Sequence, residues 1–580
     1  MKVKLAKTAG FCMGVRRAME MVMAETNKRK GPLFTLGPLI HNTQVLDLLV
    51  SKGVESIENL SGLQTGEIVI RAHGIPPQKR QALKETGLKV IDATCPRVAR
   101  VHAIIRSHTR KGYTALIVGD RDHAEVVGLV GYSEGPVHVI QNAKDVSELP
   151  HLDRLFVVAQ TTQNQQNFRE VVKALKKRFP EVLVFDTICD ATNERQQEVR
   201  SFAGQVDAVV VVGGYHSGNT QRLAQVSRET GLPTFHIETE KDLKKEKLSG
   251  MEVIGVTSGA STPNWMIRNV VSTIEGIRSR SESPLFQWIR PTLKFLVLTN
   301  LAVACGAFSF SYAASIVLEH NPGFTFPFIT FLYIYAMHVL NRFLDKGASA
   351  YNDPESAAFL KKYRPLLIMT AIAAVTGALA VSLSVGLSTF LALSGLSFLG
   401  IVYSVPFIPE RIRHRYPYTK IKDIPGSRSL SESLAWVAII TILPLLDMAH
   451  IIWPSAIVAV LIVFSMSYAR AILFNIFQAQ GDLLVGTETL PIILGEKRTL
   501  TLLKIILLLS AFIIILSPVL ALVGSFSFIM LLPLLALSLC LLSYERRWLY
   551  PGTTLEALVE GTFFLAGFLA LIWQAVLWQP

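Results

Sequence analysis

Three cysteines stand in matched settings: a short β-type run, the cysteine, then a polar segment compatible with a helix. The windows are KVKLAKTAGFCMGVRRAME around Cys12, LKVIDATCPRVARVH around Cys95 and VLVFDTICDATNERQQEV around Cys189. Three thiolates from well-separated segments can hold zinc or an iron–sulfur cluster. A closed zinc site would take a histidine as fourth ligand, although no CxxC knuckle is present and three histidines compete for the place. A cubane cluster on three cysteines leaves one iron without a protein ligand and open to substrate. Helix amino termini after the cysteines would favour the cluster's negative charge.

Each interval after a cysteine holds apolar runs that end in polar residues. After Cys12 come FTLGPLIHN and EIVIRAHGIPP; after Cys95, ALIVGDRDHAEV and LFVVAQTTQN; after Cys189, DAVVVVGGYHSGNT and EVIGVTSGAST. These ends carry His41, His73, His123 with Glu125, Gln160 with Thr161, Ser217 with Asn219, and Ser261. Histidines that can be charged near neutral pH, beside neutral hydroxyl and amide donors, suit a diphosphate. Glu125 is the carboxylate closest to this set in sequence and the expected proton donor.

The elements that must position these groups form a threefold quasi-repeat of small α/β units. Runs such as AVVVV and ALIV do not alternate, which fits parallel strands buried on both faces. Ligands of open α/β sheets sit beyond the carboxyl ends of the strands. Three facing units would therefore gather the thiols and polar groups around one pocket.

With these residues in view, the first ~280 residues resemble the IspH/LytB family of 4-hydroxy-3-methylbut-2-enyl diphosphate reductases. The resemblance rests on AGFCMGVRRA, GPLIHN, RAHGIPP, DATCPRV, HAEVVG, QTT, TICDATNERQ, HSGNT and SGAST. It implies an α/β trefoil of three pseudo-repeated domains around one [4Fe–4S] cluster on Cys12, Cys95 and Cys189. It also implies a small allylic diphosphate substrate held by His41, His73, His123, Thr161, Ser217, Asn219 and Ser261, with Glu125 supplying protons. Electrons would come from a ferredoxin- or flavodoxin-type donor. Gly218 departs from the pattern, since some members have a second serine there.

Composition divides the chain. Of 580 residues, 50% are hydrophobic and 17% charged, and the charge is concentrated before about residue 292. The formal net charge of +13 includes many Lys and Arg residues that flank long apolar runs, among them Arg290, Lys361, Arg364, Arg411, Lys422, Lys497 and Arg546. That placement suits an anionic membrane face and not a nucleic-acid groove. Cys305 and Cys540 lie within apolar runs and read as small buried hydrophobes. The expected organisation is a reductase domain at 1–280, a basic linker at 281–292 and an all-α, multi-pass membrane domain of about nine helices at 293–580. Tracing the basic clusters puts the amino terminus and the reductase domain in the cytoplasm and the carboxyl terminus outside. No secretory signal is expected at Met1 to Lys7.

Two polar segments interrupt the apolar half: LNRFLDKGASAYNDP, with Asn341 and Asp345, and FNIFQAQGDLLVGTETLPIILG, with Asn475, Gln478 and Asp482. Carboxylates at helical spacing at a membrane end can bind Mg²⁺ and, through it, a prenyl diphosphate. These positions, with VYSVP and the basic loop after it, resemble the two Asp-rich motifs of UbiA-type prenyltransferases. Ser349, Asn475 and Gln478 stand at positions that are usually acidic, so the implied Mg²⁺/diphosphate site rests on Asn341, Asp345 and Asp482. The sequence thus points to a reductase fused to a prenyltransferase. The alternatives are a non-catalytic lipid-binding anchor for the second half and a redox sensor or electron carrier for the first.

Overall fold

The computed structural model describes residues 1–28, 31–60, 63, 65–277, 284–320, 323–344, 354–404, 421–424, 426–485 and 488–576. The chain divides into two compact units, Met1–Glu282 and Ser283–Pro580.

The first unit holds three four-stranded sheets built to one plan. Strands β2 (Leu33–Leu36), β3 (Val54–Ile57), β4 (Glu67–Ile70) and β5 (Lys89–Asp92) lie in the order β3-β2-β4-β5. Strands β6 (Thr114–Val118), β7 (Val137–Ile140), β8 (Leu155–Ala159) and β9 (Leu183–Val184) repeat it as β7-β6-β8-β9. The third sheet joins β10 (Ala208–Val212), β11 (Thr234–Ile237) and β12 (Val253–Ser258) to β1 (Lys2–Leu5), in the order β11-β10-β12-β1. Every strand pairing is parallel, and Lys2 to Leu5 lie in register with Val253 to Val256. The Met1 ammonium donates to the Ile277 carbonyl at 2.8 Å, so the two ends of this unit meet.

This plan explains the cysteine repeat. Each cysteine follows the last strand of one sheet and precedes a helix, Met13–Lys28, Pro96–Thr109 or Asp190–Ser201, that leads to the next part of the unit. The central strands β6, β8 and β10 are almost wholly buried, as unalternating runs in parallel sheets require. The sequence shows two strands between each cysteine and the next β–Cys segment, whereas the structure has three. The additional strands β3, β7 and β11 are edge strands with several half-exposed residues, so their apolar signal is weak.

The second unit is helical. Among the described residues six helices are long and apolar enough to cross a bilayer: Arg364–Val385, Ser427–Leu445, Trp453–Leu483, Glu496–Val519, Phe526–Glu545 and Thr553–Val576. The helices Pro291–Leu298 and Leu301–Val317, bent by 82° at a break, make a seventh if they form one span. Thr325–Leu344 and Leu387–Ser404 are further apolar helices. Residues 284–298, which overlap the expected linker, form a helix.

Candidate active site

All eleven site residues expected in the first half line one cavity of about 100 Å³. They come from the carboxyl ends of strands in all three sheets, which is how segments far apart in the chain reach one place.

Cys95 and Cys189 are the N-cap residues of their helices, and the first turns of those helices direct backbone amides at the sulfurs: Arg97 and Val98 at Cys95, Ala191 and Thr192 at Cys189. The Val15 amide lies 3.5 Å from Cys12 Sγ. Burial first, and then the neighbouring Cys12 thiol, push the Cys95 and Cys189 thiols up. Three mutually repelling sulfurs aimed at one space, each met by amide dipoles, fit a positively charged metal centre that takes all three as thiolates. Gly14 keeps that space clear: a Cβ there would lie 2.6 Å from Cys95 Sγ and 4.0 Å from Cys12 Sγ.

The three histidines face one another, with ring centroids 4.8 Å apart for His41 and His73, 5.8 Å for His41 and His123, and 5.6 Å for His73 and His123. Burial is the main reason that all three titrate below the ordinary histidine range, His123 at about 4; next comes the charge of His41 for His73 and His123, and the Arg71 guanidinium for His41 itself. The Glu125 amide donates to His123 Nδ1 at 3.1 Å, which places the proton of the neutral ring on Nε2. His41 Nε2, His73 Nδ1 and Asn219 Nδ2 are buried without a hydrogen-bond partner. Buried polar atoms are normally paired, so these three mark a place for a polar ligand. Ser261 Oγ donates to the His41 carbonyl at 3.1 Å, and Ser217 Oγ accepts from the Thr220 amide at the start of its helix.

Glu125 is 1% exposed. Its carboxylate accepts from the Thr161 amide at 2.7 Å and from Thr161 Oγ1 at 2.9 Å. Burial raises its pKa despite those bonds, so it keeps a proton to a higher pH than a surface glutamate. Gln160 instead braces the loop, because its side chain accepts from the Asp120 amide and donates to Thr162 Oγ1.

Arg195 is the clearest residue missed from sequence. It is 4% exposed, lines the cavity, and donates to the Gly10 carbonyl at 2.6 Å, tying the helix after Cys189 to the loop before Cys12. Thr192, Arg195, Gln196 and Val199 form the buried stripe of that helix. A polar stripe at helical spacing is invisible to a search for apolar ones. Arg222 likewise clamps Asp120 with two hydrogen bonds of 2.8 and 2.7 Å.

In the helical unit, Asn341 is half-buried and Asp482 is 2% exposed, near the end of helix Trp453–Val485. Asp345, Ser349 and Arg411 lie outside the described residues. Asn475 donates to Ser429 Oγ at 2.6 Å, so a position that is usually acidic in the motif serves here as a tie between helices. The same helix carries a charge cluster that no sequence motif announced. Arg470 Nε lies 3.0 Å from Glu560 Oε1, its Nη1 lies 2.5 Å from Glu432, and His338 approaches Glu432 at 3.7 Å. The guanidinium also packs against the rings of Trp436 and Phe474, at 5.3 and 4.8 Å.

Comparison with known proteins divides the chain in the same way. Residues 3–275 match the LytB protein family and residues 301–568 the UbiA prenyltransferase family. The 4-hydroxy-3-methylbut-2-enyl diphosphate reductase of Geobacter sulfurreducens is 43% identical over 275 residues, 47% of this chain and 97% of that protein. The Aquifex aeolicus enzyme of the same name is 42% identical over 276 residues, 47% of this chain and 96% of its own. Among solved structures, a diphosphate reductase from Plasmodium falciparum aligns with TM-score 0.46 and 30% identity, over 49% of this chain and 93% of that one. A UbiA homolog from Archaeoglobus fulgidus, bound to DMAPP and Mg²⁺, aligns with TM-score 0.35 and 17% identity, over 49% of this chain and 100% of that one.

Proposed function

The chain belongs to the LytB family of 4-hydroxy-3-methylbut-2-enyl diphosphate reductases and continues into a UbiA-type domain, and from this we propose how its residues divide the work. The first unit is the reductase, which replaces the allylic hydroxyl by hydrogen and yields isopentenyl and dimethylallyl diphosphate. Two electrons and two protons enter, and one water leaves.

In our reading one [4Fe–4S] cluster sits on Cys12, Cys95 and Cys189 and, when bound, supplies the electrons one at a time. A ferredoxin- or flavodoxin-type protein replenishes them. The unpaired His41 Nε2, His73 Nδ1 and Asn219 Nδ2, with Ser217 and Ser261, bind the diphosphate, whose charge draws protons onto the imidazoles. Glu125 holds a proton in its buried carboxyl and passes it towards the substrate, with Thr161 Oγ1 as the adjoining hydroxyl. The observation that carries the assignment is the convergence of all these groups on one cavity. The test is Glu125→Gln in anaerobically prepared protein. Iron content and diphosphate binding should stay as in the wild type while turnover falls by about 10²-fold or more. Near-normal turnover rules out the proton role.

The chain is a multi-pass membrane protein, and in our reading the reductase faces the cytoplasm and the helical unit transfers prenyl groups. Asp482 and Asp345, with Asn341, would hold Mg²⁺ against the prenyl diphosphate. With Ser349, Asn475 and Gln478 at positions that are usually acidic, and Asn475 engaged by Ser429, few carboxylates remain for the metal, so transfer should need higher Mg²⁺ than in a fully acidic site. Asp482→Ala should abolish prenyl transfer from a radiolabelled allylic diphosphate and leave the reductase unaffected. If the wild-type chain transfers no label to membrane lipid or aromatic acceptors, the helical unit is an anchor.

A further inference from the structure

We propose that the helix Pro284–Leu298 lies flat in the headgroup layer of the bilayer and presses one apolar face, made by Trp288, Ile289, Leu293 and Phe295, into the lipid beneath it. All four side chains are exposed, Trp288 to 78% and Phe295 to 54%. By helical spacing they share one side of the helix, and Gln287, Arg290 and Lys294 fall on the other. A helix with large apolar residues on one side and basic ones opposite is built for a membrane surface. Leu296, Val297 and Leu298, nearer its end, are half-buried where the helix packs against Leu301–Val317 and Thr553–Val576.

The geometry of the next helix sets the depth. Leu301–Val317 has 17 residues and no charged side chain, and at about 25 Å it nearly matches a hydrocarbon layer of about 30 Å. It runs beside the spanning helix Thr553–Val576 in the same direction: Gly306 lies against Phe563, Ser309 against Gly567, and Tyr312 donates to Gln574. Both helices therefore start at one membrane face, which also carries the exposed Arg546, Arg547 and Trp548 just before Thr553. Between Pro291–Leu298 and Leu301–Val317 the axis bends by 82°. Asn300 makes the corner in the left-handed region, at φ 62°, which asparagine tolerates; its amide donates to the Val297 carbonyl and its carbonyl accepts from the Ala304 amide. With the second helix crossing the bilayer, the first must lie close to the bilayer plane. At 15 residues, with Arg290 and Lys294 among them, Pro284–Leu298 is too short and too charged to cross by itself. At the surface its apolar face meets acyl chains, its basic side meets anionic headgroups, and Trp288 takes the level that tryptophan favours.

The test uses the full chain in vesicles of phosphatidylcholine and phosphatidylglycerol, with a fluorescent coumarin amino acid encoded in place of Trp288. Phosphatidylcholine brominated near the carbonyl end of its acyl chains should quench this label about twofold more strongly than lipid brominated near the methyl end. The same label in place of Phe568, exposed within the span Thr553–Val576, should show the opposite order. Stronger quenching of the first label by the deep bromines would make the helix part of a broken span and overturn the proposal. Quenching by neither lipid would show that protein covers the face, whether a second copy or another part of the chain, and would overturn it as well. If the chain labelled at Trp288 does not fold, the label in place of Phe295 reads the same face and decides.

Discussion

His123 and His102 show how burial sets the chemistry of single residues. Both titrate at about 4, His123 through burial and then the charge of His41, His102 through burial and then Arg80. At pH 6 His123 is therefore neutral in the free site, and a bound diphosphate must raise the histidine pKa values by favouring the charged rings. Diphosphate binding should take up protons at that pH and weaken as pH rises through the raised values. Calorimetry in buffers of different ionisation heat reads the uptake directly; no buffer dependence would contradict it. His102 is not among the residues lining the cavity, and its ring stacks on Tyr132 at 4.0 Å, so its titration bears on stability. Its folded pKa is depressed, so the unfolded chain binds the proton first, and stability falls as pH drops from about 6.5 towards 4. The polar site residues were legible because each follows an apolar run. Gln160 follows such a run as well and proved to brace a loop, a distinction that only its partners make.

Among the elements, the starts of the three helices after the cysteines matter most. Gly14→Ala would place a methyl group 2.6 Å from Cys95 Sγ, in a wall formed by a second sheet's cysteine. We expect the variant to fold and to lose bound iron, measured as iron per chain after anaerobic purification; full iron content would show that the wall yields. Gly218→Ser should keep its iron, because its Cβ meets only ordinary contacts at 3.5 Å from the His123 ring. In the helical unit, Arg470 joins the helices that carry Glu432 and Glu560 to its own, and both Arg470 and Glu560 have side chains only 6% exposed. Removing one partner of a buried ion cluster leaves uncompensated charge and costs about 3–5 kcal/mol. Arg470→Met should accordingly lower the thermal midpoint in detergent by several degrees. Arg470→Met combined with Glu560→Met should recover part of the loss.

For the molecule as a whole, the division into two units has a direct consequence. The sheets of the first unit pack against helices of that unit, and the buried side chains lining its hydrophobic cores all belong to residues 1–277. A chain of residues 1–282 should therefore be soluble, bind iron through Cys12, Cys95 and Cys189, and reduce the diphosphate. Aggregation of that piece on expression, with no iron bound, would show that the reductase depends on the helical unit. Both proposed reactions act on allylic diphosphates, yet separate variants, Glu125→Gln and Asp482→Ala, should silence them one at a time.

Which segments are β-strand and then cysteine, where the apolar half begins, and which polar residues end the strands were all legible in the chain alone. Those features are local: a run such as AVVVV, a cysteine before a helix, or a long apolar stretch needs no distant partner to be read. The remaining features depend on residues that meet only after folding. That β1 completes a sheet begun at β10 depends on hydrogen bonds between residues about 250 positions apart, as in the pairing of Lys2 with Val253. The edge strands β3, β7 and β11 are strands because a neighbour offers its ladder, and their own half-exposed residues say little. Arg195 and Arg470 are buried charges whose roles come from the carbonyls and carboxylates that surround them. A charged residue in a sequence reads as exposed until the fold supplies its partners.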